Sequence, residues 1–366
     1  MCVFGTRPEG IKMAPIIKAV KKRPEIECVI CITAQHREML DQVLNLFNIE
    51  PDYDLNIFKP GQSLTEITTR AIKGLEEVIL KENPDVLLVQ GDTTTVFAGA
   101  LAAFYQKVKI GHVEAGLRSG NLYSPYPEEA NRKLTGIVTN FHFAPTERNR
   151  QNLLKEDYPD SNIYITGNTV IDALKYTIKE NYIFNNPLLN SLDYENKRII
   201  LMTSHRRENI GIPMENIFNA VRNIVEKYSD VEVVFPVHLN PKVRDTADQI
   251  LGQNSRIHLI EPLDYEPFTN LMARSYLVVT DSGGLQEEAP TLGKPVLVVR
   301  EETERPEGIE AGTARLVGTN YQPIFDNLDM LLKDNQEYDK MAKAVNPYGD
   351  GNASERIVEI LLKNIN

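Results

Sequence analysis

The chain has 366 residues, more than the ~250–300 at which a single hydrophobic core stops growing, so two ordinary domains are expected. Hydrophobic residues make up 42% and charged residues 25%, a soluble globular composition that excludes a disordered chain. A net charge of −11 argues against a nucleic-acid partner, while local arginines, lysines and backbone N–H groups can still receive an anionic small molecule.

Short apolar runs alternate with amphipathic stretches from the first residue onward. Strand candidates in the first half are MCVF, CVICITA, DVLLVQGD, IGHVEA, FHFAPT and IYITGN. Helices are expected to begin near Met13, Arg37, Leu64, Thr94, Glu129 and Glu147, and Ser63 followed by Glu66 has capping-box spacing. The opening strand is short, as though a residue or two stood before it, and no secretory leader is read there. Cys28 and Cys31 form a C-x-x-C, but in a β-like run residues three apart face opposite sides. Together with Cys2 they are expected as buried thiols of a reducing compartment, not as a metal clamp. No apolar run approaches the ~20 residues of a membrane span, so a cytoplasmic protein is expected.

Charge gathers at three places in this half. FGTRPEGIKMAP ends a strand at Gly5 and continues through Arg7 and Lys12. It is not G-x-G-x-x-G, which occurs nowhere in the chain, so a nicotinamide cofactor lacks its usual cradle. Arg7 and Lys12 read either as partners of a diphosphate or as a solvated basic pair. VQGDTTTVFAGALAAF sets Asp92 at a strand C-terminus, for chemistry or as the N-cap of the next helix. HVEAGLRSGNLYSPYPEEANR brings Glu114, Glu128, Glu129, Arg118 and Arg132 to a turn-rich tract between a strand and a helix. That is where an α/β protein keeps its chemistry.

The alternation pauses over 169–196, an Asn-rich polar stretch expected as a linker between a first domain (1–168) and a second (197–352). The second domain opens with RIILMTSH and continues through VEVVFPVH, RIHLIEP, YLVVTDSGG and PVLVVR. The closing ASERIVEILLKNI, within 353–366, reads as an amphipathic helix that returns to the first domain. The expectation is α/β: two Rossmann-like, doubly wound domains facing a cleft. TSHRREN sets His205 directly after a strand beside Arg206 and Arg207, either as a functional group or as a structural histidine. His238 in FPVHLNP has comparable surroundings. In TDSGGLQEEAPTLG a strand runs into Ser282, Gly283 and Gly284 and then a helix. Glycines admit a ligand close to the backbone, helix-start N–H groups favour phosphate, and Glu288 stands one turn in, within reach of ribose hydroxyls. An ordinary strand–helix turn is the alternative.

In this order, GTRPEGIKMAP, QGDTT, HVEAGLRSG, YPEEANR, TSHRREN, PVHLNP, TDSGGLQEEAP and TERPE closely resemble the non-hydrolysing UDP-N-acetylglucosamine 2-epimerases of bacteria, and the resemblance runs through NPYGDGNAS. It implies a GT-B-like architecture, a homodimer, no cofactor and no metal. The implied reaction interconverts UDP-GlcNAc and UDP-ManNAc through elimination of UDP to 2-acetamidoglucal. By the same resemblance Asp92, Glu114 and Glu128 carry the protons, acid and base unassigned, and Arg132 orients them or steadies the sugar. His205 sits by the diphosphate, Ser282, Gly283 and Gly284 hold the phosphates, and Glu288 holds the ribose. Leu263 and Phe268 flank the uracil, while Arg7, Lys12 and Arg305 complete the anion site. Glu129 is read as helix-start charge. Some bacterial members bind UDP-GlcNAc at a second, activating site, for which Gln35, Arg207 and His238 are counterparts. Glu38 and Gly61 stand where those members carry a glutamine and an arginine, which leaves activation open. A hydrolysing relative that releases ManNAc and UDP is the alternative. A glycosyltransferase is disfavoured by the acidic loop at 112–132, and a sensor without catalysis by the presence of all three carboxylates.

Overall fold

The computed structural model describes residues 1–365. The chain forms two compact units, Met1–Tyr176 with the segment from Tyr348 onward, and Thr177–Pro347.

The first unit carries β1 (Cys2–Phe4), β2 (Ile30–Ile32), β3 (Tyr53–Asp54), β4 (Val86–Gln90), β5 (Lys109–Val113), β6 (Phe141–Ala144) and β7 (Ile163–Ile165). All pair in parallel, in the order β3-β2-β1-β4-β5-β6-β7. Strands such as VLLVQ and FHFA are apolar and almost wholly buried, as parallel strands covered on both faces must be. The order reverses between β1 and β4. Their following loops therefore diverge from adjacent strand ends and open a crevice, the place where open α/β sheets bind ligands.

The second unit repeats the plan with β8 (Arg198–Thr203), β9 (Val231–Pro236), β10 (Ile257–Ile260), β11 (Leu277–Thr280), β12 (Val296–Val298) and β13 (Ala314–Leu316). Its order is β10-β9-β8-β11-β12-β13, with the switch point between β8 and β11. Thr203 and Thr280 stand opposite each other at those two strand ends, their hydroxyls 2.7 Å apart. Phe218, Phe235, Met202, Met214 and Leu297 are among the fully buried side chains of its core. Two Rossmann-like α/β sheets are thus present, as the alternation implied.

Local chemistry explains the helix starts. Glu66 N donates to Ser63 Oγ at 3.2 Å and Ser63 N to Glu66 Oε2 at 2.7 Å, completing the capping box. The first helix begins at Arg7 and not near Met13 (Arg7–Val20), because extended Thr6 and Pro8 in the first turn suit a helix start. Residues 169–196, expected as a linker, instead carry helices Thr169–Thr177 and Pro187–Ser191. Ile171, Ala173 and Leu174 are buried there. Asp172, also buried, accepts from Ala353 N at 3.2 Å and Ser354 N at 2.8 Å. It thereby satisfies the first amides of the helix Ala353–Ile365, which packs on Arg7–Val20. The division between units falls after Tyr176.

Cys2 and Cys31 are buried and Cys28 is half-buried, all three as free thiols. Among the described residues no helix is long and apolar enough to cross a membrane.

Candidate active site

In the first unit the turn after β1 is fixed by close packing. A Cβ on Gly5 would lie 2.0 Å from Thr33 Oγ1 and 2.6 Å from Thr95 Oγ1, so only glycine admits this approach. Gly5 N donates to Glu9 Oε2 at 3.0 Å, and Thr93 Oγ1 donates to Glu9 Oε1 at 2.7 Å. Glu9 is buried, and that burial pushes its pKa up to about 6 against these bonds. Sequence reasoning did not single out Glu9. Thr93 also accepts from Val96 N, so Thr93, and not Asp92, caps the helix Thr94–Tyr105.

Asp92 is engaged elsewhere. Arg132 reaches its Oδ2 through Nη2 at 2.6 Å and Nε at 2.9 Å, and Asn131 Nδ2 donates to the Asp92 carbonyl at 2.9 Å. The same guanidinium donates through Nη1 to Glu129 Oε2 at 3.0 Å. Burial alone would lower the Arg132 pKa, but Asp92 and Glu129 outweigh it and raise the value. Glu129 stands in the first turn of the helix Glu128–Val138, as expected of a helix-start charge, and does more there. It is fully buried and accepts from Ser119 N at 3.1 Å and Gly120 N at 3.2 Å. It thus holds the 114–127 loop against the helix Glu128–Val138.

Glu114 follows β5 with φ +65°, an uncommon conformation for a residue with a Cβ and one that concentrates at functional positions. Lys12 Nζ donates to its two oxygens at 2.6 and 2.7 Å, Asn168 Nδ2 donates at 3.0 Å, and the Gln90 amide is a further partner. Lys12, expected at an anion site, is therefore engaged with a carboxylate. Glu114 has only 9% of its side chain exposed and needs a nearby cation. Its Oε2 comes within 3.7 Å of where a Cβ on Gly91 would stand, beside Asp92. His112 on β5 links the two loops. Its Nε2 lies 2.7 Å from Gly91 O, and because a carbonyl only accepts, Nε2 carries the proton. Burial first of all drives the His112 pKa down to about 4. Glu128 Oε2 is buried and, among the described residues, meets no hydrogen-bond donor. Arg7 is half-buried, and Gln35 Oε1 accepts from Thr95 Oγ1 at 2.9 Å.

In the second unit the residues after β8 and β11 meet at Asp281, which the sequence reading quoted without assigning a role. Its Oδ2 accepts from His205 N at 2.8 Å, Arg206 N at 2.9 Å, Asn209 Nδ2 at 3.1 Å and Ser204 Oγ at 3.2 Å. Burial would raise its pKa, but His205 and the loop amides reverse this and hold it below the usual carboxylate range. The His205 ring stacks on His238, centroids 5.5 Å apart and planes at 17°. Burial, then His205, lowers the His238 pKa. Arg207 is exposed.

Ser282 N donates to Thr280 Oγ1 at 2.9 Å. A Cβ on Gly283 would meet nothing within 4 Å, and one on Gly284 only Glu288 Oε2 at 3.9 Å, so the protein's own packing requires glycine at neither position. Glu288 is buried and accepts from Tyr265 OH at 2.7 Å. Tyr265, whose pKa is pushed up by burial and then by Glu288, lies between Leu263 and Phe268 in the chain. Arg305, expected at the anion site, pairs with Glu287, which at 3% side-chain exposure requires a countercharge.

The sequence profile of the UDP-N-acetylglucosamine 2-epimerase family matches residues 18–362. The UDP-N-acetylglucosamine 2-epimerase of Bacillus subtilis is 56% identical over 362 residues, covering 99% of this chain and 94% of its own. That of Escherichia coli K12 is 55% identical over 370 residues, covering 100% and 98%. The crystal structure of the Neisseria meningitidis UDP-GlcNAc 2-epimerase bound to UDP-GlcNAc superposes with a TM-score of 0.88 at 52% identity, covering 99% of each chain. The Methanocaldococcus jannaschii enzyme in complex with UDP-GlcNAc and UDP gives 0.78 at 36% identity, again covering 99% of each chain.

Proposed function

Because the chain belongs to the UDP-N-acetylglucosamine 2-epimerase family, we propose that it is of the non-hydrolysing kind and interconverts UDP-GlcNAc and UDP-ManNAc by inversion at C2. The proton on C2 is not α to a carbonyl, so its removal alone would leave an unstabilised carbanion. If the C1–O bond to UDP breaks at the same time, the electron pair enters a C1=C2 bond and the products are 2-acetamidoglucal and UDP. For the return, a proton is delivered to the opposite face of C2 and the UDP oxygen adds to C1. All atoms are conserved, and no oxidant is consumed.

Asp92, Glu114 and Glu128 carry this proton traffic. The supporting observation is that these three carboxylates follow β4, follow β5 and open the next helix of one unit, in unlike surroundings. Asp92 is clamped by Arg132, Glu114 is neutralised by Lys12, and Glu128 keeps a buried oxygen without a bond. A reversible reaction on two faces needs carboxylates that differ in readiness to hold a proton, and unlike environments supply that difference. On the nucleotide side Ser282, Gly283 and Gly284 take the phosphates, Glu288 the ribose, and Leu263 with Phe268 the uracil. His205 and Arg7 serve the diphosphate, while Lys12 and Arg305 act through the carboxylates they neutralise. The active form is a homodimer, which the exposed apolar side chains Leu80, Phe104, Tyr105, Leu134 and Ile137 support.

Incubation with UDP-GlcNAc in deuterated water, followed by proton NMR, tests the reaction class and its mechanism together. UDP-ManNAc is expected to rise to a plateau with deuterium at C2 of both epimers. Accumulating free ManNAc would assign the chain to the hydrolysing kind, and protium retained at C2 would end the elimination route.

A further inference from the structure

Asp281 carries none of the roles assigned above, yet it organises the second unit's switch point. It has no solvent exposure, and four donors from residues 204–209 converge on its Oδ2. A single carboxylate oxygen thus sets the path of the loop that carries His205. The other oxygen, Oδ1, is buried and accepts no aligned hydrogen bond. Among the described residues its one ionic partner is His205 Nδ1 at 3.2 Å, close enough for an ion pair though short of ideal alignment. An ionised carboxylate cannot donate, so an attractive contact requires the proton on Nδ1. His238 stacks on the imidazole, and among the described residues the ring's ionic contact is through Nδ1, not Nε2.

We propose that Asp281 is a positioning residue for the reaction: it holds His205 with Nδ1–H turned to its own carboxylate and the ring stacked on His238, leaving Nε2 to take up a proton and, in the resulting imidazolium, donate it to a diphosphate oxygen. The catalytic consequence rests on the reading that His205 acts at the nucleotide, whereas the tautomer does not. Buried carboxylates orient histidines in this way in other sites, and exchanging Asp for Asn there reverses the imidazole. In Asp281→Asn the side-chain oxygen can still accept from the 204–209 loop. The new amide N–H then faces Nδ1 and forces the proton to Nε2.

The test begins with long-range proton–nitrogen NMR of the full chain, the His205 ring being assigned by its loss in His205→Gln. The wild type is expected to show Nδ1 protonated and Nε2 unprotonated in neutral to alkaline buffer, and Asp281→Asn the reverse. Turnover of UDP-GlcNAc by Asp281→Asn should fall by ~10²–10⁴ while UDP binding is retained. In a His205→Ala background the same change should cost little more, because its effect passes through the ring. A wild-type His205 protonated on Nε2 would overturn the proposal, even if Asp281→Asn fails to fold. So would an undiminished loss from Asp281→Asn in the His205→Ala background. If the wild-type chain turns over no UDP-GlcNAc, the functional reading fails while the tautomer measurement still decides the positioning claim.

Discussion

Two neighbouring glutamates separate chemistry from architecture at the scale of single residues. Glu128 has a buried oxygen with no hydrogen bond, whereas Glu129 accepts from two backbone amides and Arg132. Glu128→Gln removes no hydrogen bond at that oxygen, only a helix-start charge, so unfolding stability should shift by no more than about 1 kcal/mol. If Glu128 handles a proton, turnover should drop by ~10²–10⁴. Glu129→Gln removes the charge that three donors share and should cost about 2 kcal/mol, read from denaturant midpoints. Equal stability loss in both variants would show that the two side chains are not divided in this way. Neighbouring carboxylates in one helix start look alike in sequence. Their difference comes from Ser119, Gly120 and Arg132, which the fold brings to one of them.

At the scale of elements, β5 and β6 place His112 opposite His142 in register, both buried. Burial foremost drives their pKa values down to about 4 and about 3, with His112 a further cause for His142. Below about pH 6.5 the unfolded chain binds protons at these positions that the folded chain refuses, so stability falls as pH drops towards 4. Each imidazole contributes on the order of 3 kcal/mol to that loss. His142 Nδ1 is buried without a hydrogen bond, and the ring packs 4.8 Å from Tyr158, so His142→Phe sacrifices no bond there. This variant should show a shallower fall of denaturant midpoint between pH 6.5 and 4. An unchanged slope would mean that another group carries the acid sensitivity.

For the whole molecule, the apolar side chains left in solvent bear on assembly. The helix Thr94–Tyr105 packs between Leu64–Glu82 and Glu128–Val138, and Ile137 on the last of these is 70% exposed. Burying such a side chain in a homodimer contributes about 1.5–3 kcal/mol. If the proposed homodimer forms through this face, Ile137→Lys should weaken self-association by roughly tenfold or more in sedimentation velocity, with the monomer still folded. Unchanged sedimentation would move the dimer contact to another face or remove the dimer.

The parts of this protein legible in its residues are those with local causes. Apolar runs marked the inner strands of both sheets, Ser63 with Glu66 marked a helix start, and motifs after β1, β4, β5, β8 and β11 marked the strand ends that gather charge. Edge strands β3 and β13 escaped because a charged residue, Asp54 in one and Arg315 in the other, interrupts the apolar run that marked the equally short β1, β2, β7 and β12. Tertiary structure alone decided which charges are partnered. Lys12 meets Glu114 across 102 residues and Arg305 meets Glu287 across 18, so neither basic group can be told from a free one along the chain. The same holds for Glu9, Glu129 and Asp281, because each buried carboxylate is met by donors from beyond its own turn of chain, such as Thr93 for Glu9, and that convergence exists only in the folded chain.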